Sequence, residues 1–168
     1  MSAALNNQIF DCICSLTRRT GNAPSVLAAR SVLLDGFGNS DACRAHGVSS
    51  PSVSLTVSAI EAQFALLLSA YGPQVQAGGE APAITGAMFD AIAKLTRRAP
   101  EKPLTRGARM IIVDQMRVTE AHAASGAAPG NLRNAVKAIN NAHQLIWSAL
   151  NHAGESWQGP NLKGSNNA

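Results

Sequence analysis

The chain has 168 residues, enough for one domain or two small ones, and its 46% hydrophobic content is ample for a buried core. Aromatic residues make up only 4%, and no long run alternates β-branched with polar residues, so strands are poorly supported and the expected fold class is all-α. A formal net charge of +4 mildly favours polyanionic partners. No apolar run is read as long enough for a transmembrane helix, and no basic-then-apolar segment opens the chain, so a cytoplasmic location away from membranes is expected.

The first helix is expected where Leu5, Ile9, Ile13 and Leu16 form a stripe with Phe10 beside it. It should end in Thr17-Arg18-Arg19-Thr20, closed by Gly21. A second helix follows from Ser25, with Val26, Ala29, Val32 and Leu33 inward, and Asp35-Gly36-Phe37-Gly38 breaks it. A short helix from Ser40 to His46 is then stopped by Gly47, which most readily takes the left-handed conformation. Ser50 is a good N-cap and Pro51 suits the first helical position, so a fourth helix is predicted from Pro51. Its apolar spacing runs through Val53, Val57, Ile60, Phe64, Leu67 and Tyr71 until Gly72-Pro73. Helix, tight turn, helix is the arrangement used by many DNA readers.

Shifting the chain by 79 residues lays Ile9–Tyr71 over Met88–Leu150 without a gap. Phe10/Phe89, Leu16/Leu95, Arg30/Arg109, Asp35/Asp114, Ala42/Ala121, Gly47/Gly126, Val57/Val136 and Ile60/Ile139 are among the identities. The expected organisation is therefore two tandem four-helix repeats, residues 1–71 and 88–152. A Gly-, Ala- and Pro-rich linker at 72–87 and a disordered tail from residue 153 complete it. In the second repeat Thr119 to Ser125 is the short helix, Gly126 the hinge and Pro129 to Leu150 the long helix, with Leu132, Val136 and Ile139 buried.

The two long helices offer different outer faces. Ser52, Ser54, Leu55 and Ser58 in the first correspond to Asn131, Arg133, Asn134 and Lys137 in the second. Arginine pairs with guanine and asparagine with adenine through two hydrogen bonds each, whereas serine discriminates little. Charge divides the same way: the first repeat is neutral and the second carries +5. Double-stranded DNA is the expected partner, held mainly by the second repeat, with Ser49, Ser50, Ser52, Ser54, Leu55, Arg117, Asn131, Arg133, Asn134 and Lys137 as the contact set.

Catalysis finds no support. Cys12, Cys14 and Cys43 form no C-x-x-C pair and read as small buried hydrophobes, with Cys43 at the small-residue position of the motif. His46, His122, His143 and His152 show no metal-ligand spacing, and no phosphate-loop, nucleophile-elbow or zinc-protease motif occurs. Neither an enzyme nor a cofactor, metal or small-molecule ligand is expected.

A-C-R-A-H-G-V-S-S-P-S-V-S-L-T-V-S-A-I, preceded by A-A-R-S-V-L-L-D-G, resembles the helix-turn-helix of KorA/TrfB-type plasmid repressors and PapB-type fimbrial regulators. The resemblance covers about Ala28 to Tyr71, and more weakly Gly107 to Leu150. It implies a bacterial transcriptional regulator, often a repressor, that binds operator DNA. It places the readers at Ser49, Ser50, Ser54 and Leu55 in the first motif and at Ala128, Pro129, Arg133 and Asn134 in the second. Those families carry one motif per chain and dimerise, whereas this chain carries two. Two heads on an extended linker of ~50 Å could span the ~34 Å between successive major-groove faces. A homodimer through the neutral first repeat is the second arrangement. The rival reading is a helical protein-interaction or assembly module, supported by the absence of any cation between Gly47 and Tyr71.

Overall fold

The computed structural model describes residues 5–75 and 80–151. Among these residues the chain is all-α. Its helices are α1 (Asn7–Leu16), α2 (Pro24–Leu33), α3 (Asn39–His46), α4 (Ser50–Val75), α5 (Gly86–Leu95), α6 (Pro103–Ile112), α7 (Val118–Ser125) and α8 (Pro129–Asn151). Every helix in the second half starts 79 residues after its counterpart in the first. The three non-glycine residues and three glycines with positive φ form pairs at the same interval: Arg18 with Arg97, Gly36 with Gln115, and Gly47 with Gly126.

Local chemistry explains most helix ends. Asn6 caps α1 by accepting from the Ile9 N–H at 2.9 Å, and Thr85 caps α5 by accepting from Met88 at 3.3 Å. Pro24 and Pro103 open α2 and α6, where the missing N–H has no intrahelical partner to lose. The end of α1 differs from the expectation. Gly21 does not close it; Thr17 does, its hydroxyl donating to the Ile13 carbonyl at 2.7 Å, and Arg18 takes the left-handed conformation at φ 55°. The Arg19 N–H then returns to the Cys14 carbonyl at 2.9 Å. Arg97 repeats this at the end of α5, with Thr96 bonded to Ile92 at 2.7 Å. An L-residue pays about 1–2 kcal/mol for that conformation, a cost met here by the capping bonds around it.

The long helix α4 corrects two further expectations. It begins at Ser50, with Ser49 as the residue whose carbonyl accepts from the Val53 N–H, so Ser50 is not the cap. It also runs through Gly72-Pro73 to Val75. A proline in the last turn removes only the bond to the Ser69 carbonyl, and carbonyls near a helix end lack intrahelical donors in any case. At 26 residues α4 is long and apolar enough to cross a membrane, contrary to the reading that no run has that length. In the fold, Val53, Thr56, Ile60, Leu67 and Tyr71 are buried against neighbouring helices.

The arrangement of the halves differs most from the expectation. In place of two units with separate cores on a linker over 72–87, one apolar core unites α1, α4, α5 and α8. Its largest fully buried members come from both halves: Phe10, Ile13, Ile60 and Tyr71 from the first, Phe89, Ile92, Ile139 and Ile146 from the second. Helix α1 packs chiefly on α8, and α5 packs more on α4 than on α8, so each amphipathic N-terminal helix reaches across to the other half. Each fully buried Ile, Leu or Phe contributes about 1.5–3 kcal/mol of transfer free energy, and this shared layer holds most of them. The expected linker shrinks to the stretch between Val75 and Gly86, of which 76–79 lie outside the described residues, as does the expected disordered tail.

The remaining helices pair within each half. α2 and α3 close on the start of α4 around Ala28, Ala42 and Val53, with Val48 packed into the angle. α6 and α7 close on α8 around Ala121, Ala127 and Leu132. The buried small residue is Ala42 rather than Cys43, which is only half-buried. Cys12 and Cys14 are buried as expected, and burial pushes the Cys12 thiol up to about 12.

Candidate nucleic-acid interface

Each half has a corner in which a short helix, a tight turn and a long helix meet: α3 and α4 in the first, α7 and α8 in the second. In the first, Gly47 has φ 63° and ψ 35°, and in the second Gly126 has φ 75° and ψ 2°. Both are the left-handed cap that lets the next helix leave at an angle. The corners are pinned differently. His46 Nε2 and the Ser31 hydroxyl lie 3.1 Å apart in the first. In the second, His122 Nδ1 donates to the Ala127 carbonyl at 2.9 Å, the Ser125 hydroxyl accepts from the Ala127 N–H at 3.2 Å, and Arg106 donates to the Ser125 carbonyl at 3.4 Å.

The second corner exposes the expected contact residues together. Asn131, Arg133, Asn134 and Lys137 are all exposed on the first turns of α8. Arg133 and Lys137, four residues apart, share a face. Beside them the start of α7 closes a shallow groove lined by Val118, Arg133, Val136, Lys137, Asn140 and Asn141, with a volume of about 410 Å³. Arg117, the N-cap of α7, is exposed next to Val118, and its N–H donates to Glu120 at 3.0 Å. No acidic residue occupies the first turn of α8, so its partly positive N-terminus faces solvent without a neutralising carboxylate. Ala128 and Pro129 flank that terminus, exposed and half-buried respectively.

The first corner lacks this chemistry. Ser49 and Ser50 are exposed at the turn, but Ser52 and Ser54 are half-buried, and the Ser54 hydroxyl accepts from Asn39 at 3.1 Å. Leu55 is 73% exposed, an apolar side chain where α8 presents Asn134. A cation that the sequence reading did not place also belongs to the second corner: Arg106 sets its guanidinium on the Ser125 carbonyl at the α7–α8 turn, one turn after Lys102, the exposed N-cap of α6. Their counterparts are Leu27 and Ala23. The 79-residue alignment held the signal: Lys102, Arg106, Arg117, Arg133 and Lys137 stand against Ala23, Leu27, Gly38, Ser54 and Ser58.

Arg30 and Arg109, by contrast, are structural. Arg30 pairs with Asp11 and lies over the Phe10 ring, its guanidinium carbon 5.0 Å from the centroid. Arg109 pairs with Asp90 at 3.5 Å. Between the halves, the Tyr71 hydroxyl lies 3.0 Å from His143 Nδ1, and His143 Nε2 lies 3.0 Å from the Pro82 carbonyl. A carbonyl can only accept, so the Nε2 proton goes to Pro82 and Nδ1 accepts from Tyr71. Burial lowers the His143 pKa and raises that of Tyr71, keeping both neutral. Among the described residues no group of three or more His, Cys, Asp or Glu residues could hold a metal ion. Comparison with protein-family models, with curated proteins and with solved structures yields no match to this chain.

Proposed function

We propose that the protein is a sequence-specific double-stranded DNA-binding regulator that reads its operator through the start of α8. The tandem helix-turn-helix reading, with the cytoplasmic repressor role that the KorA/TrfB-like resemblance implies, supplies the class. The observation that carries the proposal is the placement of Arg106, Arg117, Arg133 and Lys137 on α6, α7 and α8 around one corner, with every counterpart uncharged. Lysine and arginine at a helix-turn-helix supply phosphate affinity, and exposed Arg133, Asn131 and Asn134 supply groups that discriminate bases. The shared core fixes the two corners relative to each other, so any spacing they read is set by the fold rather than by a linker.

The test is selection of bound sequences from a DNA pool with the full chain, followed by affinity measurements across a salt series. Arg133→Ala is expected to cost about 1–3 kcal/mol and relax base preference, while Lys137→Ala lowers affinity uniformly and reduces the salt slope by about one. Failure of both substitutions to change binding would place the reading face elsewhere. If no sequence is enriched at low salt, the interaction-module reading takes its place.

A further inference from the structure

Two shallow cavities beside the second corner run into one another. The groove of about 410 Å³ that holds Arg133, Lys137 and Asn141 shares Ile111, Val136 and Asn140 with a second cavity of about 360 Å³, which continues to Ile84, Gln115, His143 and Gln144. Each has the size of a small-molecule site. Together they form a trough along α8, with a floor of half-buried Ile84, Ile111, Ile112 and Val136 and a rim of exposed Asn140, Asn141 and Gln144. One end is cationic. Among the described residues no carboxylate lines either cavity or pairs with Arg133 or Lys137, whereas Arg30, Arg44 and Arg109 all have acidic partners. The other end is closed by His143, whose two ring nitrogens are already engaged by Tyr71 and the Pro82 carbonyl. We propose that this trough binds a medium-chain monocarboxylate, its head on Arg133 and Lys137 and its apolar tail along Ile111 and Val136 towards Ile84.

The lining selects that class. A carboxylate accepts two charge-assisted hydrogen bonds from an arginine fork and another from a lysine. An inorganic anion would leave the aliphatic floor uncovered, and a neutral apolar molecule would leave both cations unused. From Lys137 to Gln144 helix α8 rises ~10 Å, which sets the tail at about the length of octanoate. The first half lacks the arrangement. At the matching positions Ser54 and Ser58 replace the two cations, Glu61 stands for Asn140 and Phe64 for His143, so a carboxylate there would meet repulsion and no counter-charge. Gln115 lines the second cavity at a φ of 58°, a left-handed conformation that its counterpart Gly36 takes without steric cost. The expectation of no small-molecule ligand rested on local motifs, whereas this lining is drawn from the stretch before α5, from α6, from the α6–α7 turn and from α8. Arg133 and Lys137 also serve the reading of DNA, so a bound carboxylate and a duplex compete for them; that consequence alone rests on the DNA-reading proposal.

The test starts with the full chain and octanoate, without DNA. Titration calorimetry far below the micelle concentration is expected to show one saturable site, with 1-octanol, which keeps the tail and lacks the charge, at least about tenfold weaker. Arg133→Ser with Lys137→Ser is expected to weaken octanoate at least about tenfold, and so is Asn140→Glu, which sets the first half's carboxylate between the two cavities. Ala62→Glu, at the position of α4 that matches Asn141, is expected to change nothing. Asn140 and Ala62 are exposed on their helices, so both variants keep the fold, as circular dichroism checks. Absence of saturable binding, equal binding of 1-octanol, or binding indifferent to both α8 variants overturns the proposal. Competition is measured second. Octanoate at about ten times its Kd is expected to lower affinity for the duplex selected from the DNA pool about tenfold, and the same concentration is expected to have little effect on Asn140→Glu. Duplex and octanoate binding without interference, with Arg133→Ala weakening only the duplex, overturns the placement of the head. Arg133→Ala weakening only octanoate, or a chain that takes octanoate as described and holds no duplex, sinks only the reading of DNA.

Discussion

Helices α4 and α8 bury matching positions and turn different chemistries outward. Val53 matches Leu132 and Ile60 matches Ile139 on the inner side, all at 1% exposure or less, while Ser54, Leu55 and Ser58 are replaced by Arg133, Asn134 and Lys137 outside. The inner positions are held by packing at crystal-like density, where a changed volume is felt at once, whereas the outer ones meet few neighbours in the chain, Ser54 with its bond from Asn39 being one that does. The difference between the helices is thus one of surface chemistry laid over a matching buried pattern.

That comparison can be broken directly. Giving α8 the α4 surface through Arg133→Ser with Lys137→Ser is expected to reduce DNA affinity by about 2–4 kcal/mol, measured by fluorescence anisotropy at fixed salt, without changing the melting transition. The reciprocal Ser54→Arg with Ser58→Lys is expected to raise non-specific affinity and steepen the salt dependence. A second contrast lies beneath the corners. Ala28 packs fully buried in the first half, but its counterpart is Gly107, where an added Cβ would sit 2.6 Å from Leu132 Cδ2 and from the Ser125 hydroxyl. Gly107→Ala is expected to destabilise the protein by about 1–3 kcal/mol in urea denaturation, with Leu132→Val, the residue of the first half, partly restoring it.

The pair joining the halves gives a smaller effect. Tyr71→Phe leaves His143 Nδ1 without its donor and is expected to cost about 1–2 kcal/mol. Because burial holds His143 below its ordinary value of 6.5, the unfolded chain takes up a proton that the folded chain resists. Stability is expected to be full above that value and to decline as pH falls below it, and His143→Gln should flatten this limb of the profile. The smallest effect is expected at the exposed ion pairs: Asp11→Ala and Asp90→Ala should each change stability by about 1 kcal/mol or less.

The helices were legible in the sequence because apolar spacing and Gly47 or Gly126 are local signals, and the inner faces of α4 and α8 followed from them. The partner of each stripe was not. Leu5, Ile9, Ile13 and Leu16 announce an apolar face without saying that α8 covers it, and nothing local joins Tyr71 to His143, 72 positions away. Arg18 hid the end of α1, since the left-handed residue there is not the glycine that usually marks it. Of the candidate interface, the cations on α8 could be read from helical phase, whereas Arg106 needed the packing of α6 against the α7–α8 turn to acquire a place.

The packing of α1 on α8 also constrains how the chain reaches its native state. Of the described helices α1 is made first and its main partner α8 last, so until α8 emerges the apolar face of Ile9, Phe10 and Ile13 has only its smaller contact with α4 to cover it. Closing a contact between the two ends of the described chain costs loop entropy before it yields any burial, which places docking of α1 late in folding and makes it a slow step. The α2–α3–α4 and α6–α7–α8 corners, built from sequence neighbours, are free to form earlier. A nascent chain stalled before α8 is therefore the species for which a chaperone would compete.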